Sequence, residues 1–506
     1  MIKGTIYAQK HMKKIEIDSR LFGSFVEHMG SVVYTGIFEP DHPTATPEGF
    51  RGDVLELVKS LNLGAVRYPG GNFTSGYNWK DTIGPVEDRP KKIELAWQGI
   101  EPNTFGLNEF VQWKNNLDAE MIMTINLGTK GLSDAISIVE YCNFPKGTYW
   151  SDLRREHGFE EPHSIKLWCL GNELDGEWQI GTKTPEDYGK IARQSSKVMK
   201  LVDDSIETIL VGSSHPRLDT YPEWDRKVLM EAYEEVDYLA MHNYIDRNQD
   251  ETLNVVDTRE PDDIATYLGR SLDFDKQIDE MIAVCDYVKA VKRSNKTMNI
   301  AFDEWNVHKQ PEEPYVKWQT GSPIDKCHFD LADALLFGAM GLSILRHAER
   351  VKISCQSLLV NTIPLILTEE GGDAWVNPTY YIMKDLATFG QGHLIQHNEE
   401  VSVYQTELFK NVPYQDIALV EDLDGVNIFV INKHNESTEI NVDIQLEKEL
   451  CFEKATHRVL TSESLEDKNT KDNVNRVVPF EKVVDFSDRK IVLKPYSWNV
   501  IRVPFI

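Results

Sequence analysis

Residues 165–173 read IKLWCLGNE and residues 298–306 read MNIAFDEWN. Each is a short apolar run that gives way at its C-terminal end to carboxylates and amides, as a strand does when its middle is buried and its far end opens to solvent. Six more stretches share the pattern: RLFGSFVEH (20–28), LGAVRYPGGN (63–72), EMIMTINLG (120–128), ETILVGSSH (207–215), VDYLAMHNY (236–244) and VKISCQSLLVN (351–361). Between them lie amphipathic stretches such as GDVLELVKSLN (52–62), FGLNEFVQWKNNL (105–117) and PEDYGKIARQSSKVMKLV (185–202). Eight β-like runs alternating with helical patterns predict an α/β fold, a closed (β/α)₈ TIM barrel. A barrel of this kind packs its interior and places its chemistry where the strands end. The runs end on Glu27, Arg67, Asn72, Asn126, Asn172, Glu173, His215, His242, Tyr244, Glu304, Asn306, Gln356 and Asn361.

Outward from the barrel the pattern changes. From about His397 the helical period disappears and alternating segments follow, VSVYQTEL, DIALVEDLDGVNIFVINKH, TEINVDIQL, HRVLTSES and RKIVLKPYSWNVIRVPF. These predict a C-terminal antiparallel β-sandwich, jelly-roll-like. MIKGTIYAQK and KKIEID at the start alternate similarly, so the expected division is a barrel over 15–385 and a sandwich over 386–506 that also takes the N-terminal strand 1–14. The acidic, Asn-rich stretch Glu463 to Asn475 reads as a surface loop.

With 506 residues, 41% hydrophobic and 27% charged, the chain has ample material for such a core. Its 54 Lys and Arg against 81 Asp and Glu leave a net charge of −27, which repels phosphate backbones and anionic headgroups, so no nucleic-acid or membrane partner is expected. Six scattered cysteines without a CxxC pair read as reduced thiols. The N-terminus lacks an apolar signal core, and the longest greasy stretch, Leu331 to Leu345, is interrupted by Asp333 and too short to span a bilayer. The expected location is cytoplasmic.

Glu173 and Glu304 close the fourth and seventh runs. Any one Glu among 81 acidic residues is ordinarily a solvated surface carboxylate. Two at the mouth of one barrel, one after Gly-Asn and one inside Phe302-Asp303-Glu304-Trp305-Asn306, are the equipment of glycoside hydrolysis. One must protonate a poor alkoxide leaving group while the other attacks or stabilises an oxocarbenium-like centre.

At these residues the chain resembles the α-L-arabinofuranosidases of glycoside hydrolase family 51, retaining barrel enzymes. The resemblance runs through FGSFVEH, VRYPGGNFTSGYNW, FGLNEFV, NLGT, EYCN, GTYWSDLR, WCLGNELDGEWQIG, VMKLVD, DYVKA, FDEWNV and the final LKPYSWNVIRV. It implies that Glu173 is the general acid/base, Glu304 the nucleophile, and that Asn172 hydrogen-bonds the sugar 2-OH. It further implies that Glu27 and Asn72 hold arabinose hydroxyls, Arg67 orients the nucleophile, Tyr244 lies against Glu304 and the ring oxygen, and Gln356 reaches the exocyclic hydroxyl. Trp97 and Trp178 look like sugar-facing platforms, with core packing the alternative. The family is often hexameric, so the resemblance also implies a homo-oligomer.

No HxH or HExxH is present, so His28, His215, His242, His308 and His347 read as hydrogen-bonded scaffold residues rather than metal ligands, with His242 a neighbour of the nucleophile. YPGGN lacks a phosphate-loop pattern. No cofactor is required, because two carboxylates and water complete the chemistry. Two departures stand out. His308 replaces the aromatic that relatives commonly place four residues after the nucleophile; an imidazole there offers a smaller face and can charge at mildly acidic pH. The stretch 250–264, DETLNVVDTREPDDI, looks long and acidic for the loop after strand six.

The sequence therefore predicts a retaining, exo-acting α-L-arabinofuranosidase acting on arabino- or arabinoxylo-oligosaccharides. A different retaining barrel glycosidase, a β-xylosidase or endo-glucanase, would share the two Glu and the Asn. A non-catalytic carbohydrate-binding protein is disfavoured by the presence of both carboxylates.

Overall fold

The computed structural model describes residues 2–247 and 263–506. The long acidic stretch singled out above therefore lies, up to residue 262, outside the described residues. Eight parallel strands close a barrel in chain order: β1 (Gly23–Phe25), β2 (Ala65–Tyr68), β3 (Glu120–Thr124), β4 (Leu167–Cys169), β5 (Glu207–Leu210), β6 (Tyr238–Asp246), β7 (Asn299–His308) and β8 (Val351–Gln356). Closure comes from β8 pairing with β1 through Cys355–Gly23 and Gln356–Ser24. Each of the eight apolar runs holds one strand. Several strands are only three or four residues long because the runs turn polar as they reach the barrel mouth.

The helices between them form where the sequence carries their signals. Helix Pro185–Val202 starts on Thr184, whose side chain accepts from the Asp187 N–H, with Pro185 in its first turn. Helix Gly52–Leu61 buries Val54, Leu55, Val58 and Leu61, a single 3.6-period stripe. Helix Leu331–Arg346 is different: every residue from Leu331 to Leu345 is buried. It lies between the barrel and the C-terminal sheet, where Gly338 lets Trp498 approach, and burial on both sides explains why, apart from Asp333 and Ser343, its span from Leu331 to Leu345 is apolar on every face. Among the described residues no helix is long and apolar enough to cross a membrane.

The C-terminal part is built on two main sheets, with a small two-stranded one, Val403–Tyr404 with Val412–Pro413, beside them in the chain. The larger has seven strands in the order Lys14–Glu16, His393–Ile395, Gln415–Glu421, Gly425–Asn432, Ser497–Pro504, Ala455–Leu460 and Phe480–Val484. The smaller orders Asn398–Glu400, Ile2–Gln9, Thr438–Gln445 and Lys490–Leu493. Ile6, Val442 and Leu493 of the smaller sheet share one apolar cluster with Leu419, Val430 and Ile501 of the larger. Alternate residues of the larger sheet, Ala418, Phe429, Ile431 and Trp498, belong instead to the barrel's core. The period-2 alternation thus feeds two cores at once.

Two expectations need correction. The sandwich is not wholly antiparallel, because Ile2–Gln9 pairs parallel with Thr438–Gln445. Strands so distant in the chain share no hairpin to force the antiparallel sense. The stretch Glu463 to Asn475 is more than a surface loop: Asn469 is fully buried and donates to the Val376 and Val477 carbonyls, and the Leu331 N–H donates to the Asp467 carbonyl.

Candidate active site

Glu304 sits in β7 at a break in the ladder. β7 shifts register against β8 between Phe302 and Trp305, and β6 shifts between Ala240 and His242. Such an irregularity lets consecutive residues escape strict alternation, and here Asp303 and Glu304 both reach Arg67. Arg67, from β2, is buried, with Nη1 2.6 Å from Glu304 Oε1, Nη2 donating to Asn172 Oδ1 at 2.8 Å and Nε 3.3 Å from Asp303 Oδ2. The Tyr244 hydroxyl donates to Glu304 Oε2 at 2.8 Å and lies 2.8 Å from Ser357 Oγ.

Glu173 follows β4 and adopts φ +46°, a left-handed conformation that L-residues rarely hold and that recurs at functional sites. Trp178 Nε1 donates to its Oε2 at 2.9 Å, and His242 Nδ1 lies 3.0 Å from its Oε1. The same Nδ1 is 3.5 Å from Glu304 Oε2, while Nε2 is 3.2 Å from Asp303 Oδ1. Burial would drive this imidazole neutral, but Glu304, Asp303 and Glu173 hold its pKa well above the ordinary histidine range. Asp303 is held low despite burial, by Arg67 and His242. Glu304 is raised by burial, with His242 and Arg67 pulling the other way.

Glu173, His242 and Glu304 each offer a donor atom within 4.8 Å of the others, a set that sequence spacing could not show because it comes from three strands. A small cation would find ligands there. Its binding would have to displace the proton that three carboxylates hold on His242.

Glu27 lies beside this pair, its Oε1 accepting from the Phe73 N–H and from Trp97 Nε1, both at 3.0 Å. Burial, with Glu304 nearby, pushes its carboxyl up to about 8. Asn72 accepts from Asn172 Nδ2 at 3.2 Å. Gly71 fits between the three groups: a Cβ there would stand 2.9 Å from Glu304 Oε1 and 3.3 Å from Asn172 Nδ2, so a side chain would crowd the carboxylate. The resulting cavity of about 160 Å³ is lined by Glu27, Asn72, Trp97, Glu173, Tyr244 and Glu304, with His308 and Asp325 at its wall.

Models of two families match the chain: the α-L-arabinofuranosidase 1 domain over residues 57–260 and the α-L-arabinofuranosidase C-terminal domain over residues 303–497. An intracellular exo-α-(1→5)-L-arabinofuranosidase 1 of Bacillus subtilis (strain 168) is 44% identical over 99% of both chains. A family 51 α-L-arabinofuranosidase from Bifidobacterium longum superposes with a TM-score of 0.91 at 32% identity over 99% of both chains. The chain belongs to the family 51 α-L-arabinofuranosidases. A Thermotoga maritima α-L-arabinofuranosidase in an arabinose complex matches with a TM-score of 0.85 at 30% identity over 100% of both chains.

The arabinofuranosidase brings together ten of the eleven residues expected from sequence. Gln356 is the exception: it is fully buried and is not among the lining residues of the cavity, with Oε1 accepting from Ser24 Oγ at 3.0 Å and Nε2 donating to the carbonyl of Leu358, which does line it, at 3.1 Å. Trp178 is half-exposed at the rim, its indole N–H on Glu173. His308 differs from expectation in charge. Its Nδ1 is 3.0 Å from Asp246 Oδ2 and its Nε2 3.8 Å from Asp325 Oδ2, and against the effect of burial these raise its pKa to about 9, so it is charged at neutral pH and not only in mild acid. Asp303, Ser357 and Asp325 escaped the sequence reading. Asp303 carries the one signal available, a second carboxylate inside an otherwise apolar strand.

Proposed function

We propose that this α-L-arabinofuranosidase hydrolyses with retention, Glu304 acting as nucleophile and Glu173 as acid/base. The observation that carries the reading is the approach of the two carboxylates, with donor oxygens within 4.8 Å at the end of one cavity. Retaining glycosidases hold this pair about 5–5.5 Å apart, whereas inverting ones leave about 6.5–9.5 Å for a water.

Glu304 attacks the anomeric carbon as Glu173 protonates the departing glycosidic oxygen, giving a glycosyl ester and a free alcohol. Water then enters, Glu173 takes its proton, and the hydroxide attacks the same carbon to release arabinose and restore the Glu304 carboxylate. Arg67 and Tyr244 each donate to one Glu304 oxygen and fix its aim. Asn172, locked between Arg67 and Asn72, is oriented for the 2-OH. Glu27 and Trp97 line the same cavity beside the pair, where the remaining hydroxyls and a sugar face would lie. Following the named activity of the B. subtilis relative, the substrate is an α-(1→5)-linked arabino-oligosaccharide cleaved from its non-reducing end inside the cell.

Proton NMR during the first minutes of turnover tests the stereochemistry. The α-anomer of arabinose appearing first supports retention; the β-anomer appearing first overturns it.

A further inference from the structure

Successive residues of β6 serve two compartments. His242 and Tyr244 reach the catalytic carboxylates, while Asn243 and Ile245 line a separate cavity of about 430 Å³, against about 160 Å³ for the catalytic one. Among the described residues none lines both. The separate cavity lies between β6, helix Ser271–Lys292 and the turn of the two-stranded sheet Val403–Tyr404 with Val412–Pro413, which supplies Phe409.

Its walls are held in place before any ligand arrives. The Tyr221 hydroxyl donates to Glu280 Oε2 at 2.6 Å, the Phe409 N–H donates to Thr406 Oγ1 at 3.0 Å, and the Tyr404 hydroxyl ties the two-stranded sheet to the barrel by donating to the Ala265 carbonyl at 2.9 Å. Asn243 is only half satisfied. Its Nδ2 donates to Gln277 Oε1 at 2.7 Å, but its buried Oδ1 meets no donor among the described residues. A buried amide oxygen left in this state is costly, and a donor carried in by a ligand would relieve it.

The lining selects the chemistry of that ligand. Arg217, Arg270 and Lys276 stand against Asp273 and Glu280, so neither an anion nor a cation meets walls of opposite charge alone. Asn243 Oδ1 calls for a donor, which a phosphate dianion or a carboxylate does not offer. Tyr221 and Phe409 add aromatic surface. Donors, acceptors and aromatic rings together suit a neutral polyhydroxylic molecule. The enzyme's own reaction releases one, arabinose.

We propose that this cavity is a second sugar site, which holds a free pentose apart from the catalytic cavity and whose occupancy alters turnover. Gln277, which takes the Asn243 amide, donates from Nε2 to the His242 carbonyl at 3.0 Å. A sugar hydroxyl on Asn243 Oδ1 would thus be joined through Asn243 and Gln277 to the backbone of the residue that contacts both catalytic carboxylates. The site itself is independent of the roles given to Glu173 and Glu304; the effect on turnover rests on them.

Calorimetric titration with L-arabinose to saturation tests the site. The parent should bind one more arabinose per chain than Phe409→Ala or Glu280→Ala, while both variants keep kcat/KM on an aryl α-L-arabinofuranoside within about twofold of the parent when no arabinose is added. Equal stoichiometry in all three overturns the site, and variants slower than that without arabinose overturn the separation of the two cavities. The effect on turnover is read at saturating aryl substrate, where arabinose competing for the catalytic cavity cannot change kcat. Added arabinose should change the parent's kcat by about twofold or more and leave that of both variants unmoved. A parent kcat that arabinose does not move, or one that moves equally in the variants, overturns the coupling, and the titration still decides the site.

Discussion

Glu173 and Trp178 meet at the rim of the cavity, where the indole N–H meets one carboxylate oxygen and His242 the other. Replacing Glu173 by Ala removes the proton donor of the first step, so kcat/KM on alkyl or sugar leaving groups should fall by ~10²–10⁴-fold while an aryl substrate with a good leaving group loses far less. Equal losses across leaving groups would count against Glu173 as the acid. Glu27 gives a second residue-scale expectation. Its carboxyl, ordinarily near 4.5, is raised to about 8 by burial and by Glu304, so between those pH values the unfolded chain has released a proton that the folded enzyme keeps. Its contribution to stability therefore falls as pH rises through that window. Glu27→Gln keeps an acceptor for Phe73 and Trp97 and cannot ionise, so its melting temperature relative to the parent should rise steadily from pH 4.5 to pH 8. A constant difference would remove Glu27 as a titrating group. Sequence reached these residues because each follows an apolar run and each sits inside a stretch shared with a known family. It did not reach Ser357 or Asp325, whose roles depend on loops folding back over the mouth, nor the bonds that Gln356 makes to Ser24 and Leu358, since a run of residues does not say which neighbouring strand an amide meets.

Strands and helices were legible where one physical rule decides them. An apolar run ending in polar residues became a barrel strand in all eight cases, and the amphipathic stretch 185–202 became the helix that follows β4. The irregularities in β6 and β7 were not legible, because a bulge depends on the partner strand as much as on the residues that form it. These irregularities matter: they bring Asp303 and Glu304 together on Arg67. Helix Leu331–Arg346 shows the other limit of sequence, since a largely apolar stretch is compatible with several fates until a second layer is placed on it. Trp498 is the anchor of that layer, fully buried against Gly338 and donating from Nε1 to Asp385 Oδ2 at 3.0 Å. Trp498→Ala should destabilise the enzyme by ~3–5 kcal/mol through the cavity and the unpaired carboxylate oxygen it leaves. Thermal unfolding checks this, and a change under about 1 kcal/mol would mean that the sheet is not anchored through Trp498.

Across the whole molecule, the larger C-terminal sheet braces the buried helix that follows β7, while the chain's start crosses over to complete both sheets. The barrel then presents acid, base and cation from six strand ends to one cavity of about 160 Å³. Everything in this arrangement serves the placing of one carboxylate, Glu304, against an anomeric carbon. Glu304→Ala with added azide examines that placement. The variant alone should be inactive on oligosaccharides. With azide and an aryl α-L-arabinofuranoside it should turn over and release the β-arabinofuranosyl azide, because the anion attacks from the face the carboxylate has vacated. A variant that remains active without azide, or an azide product of α configuration, would contradict Glu304 as the nucleophile.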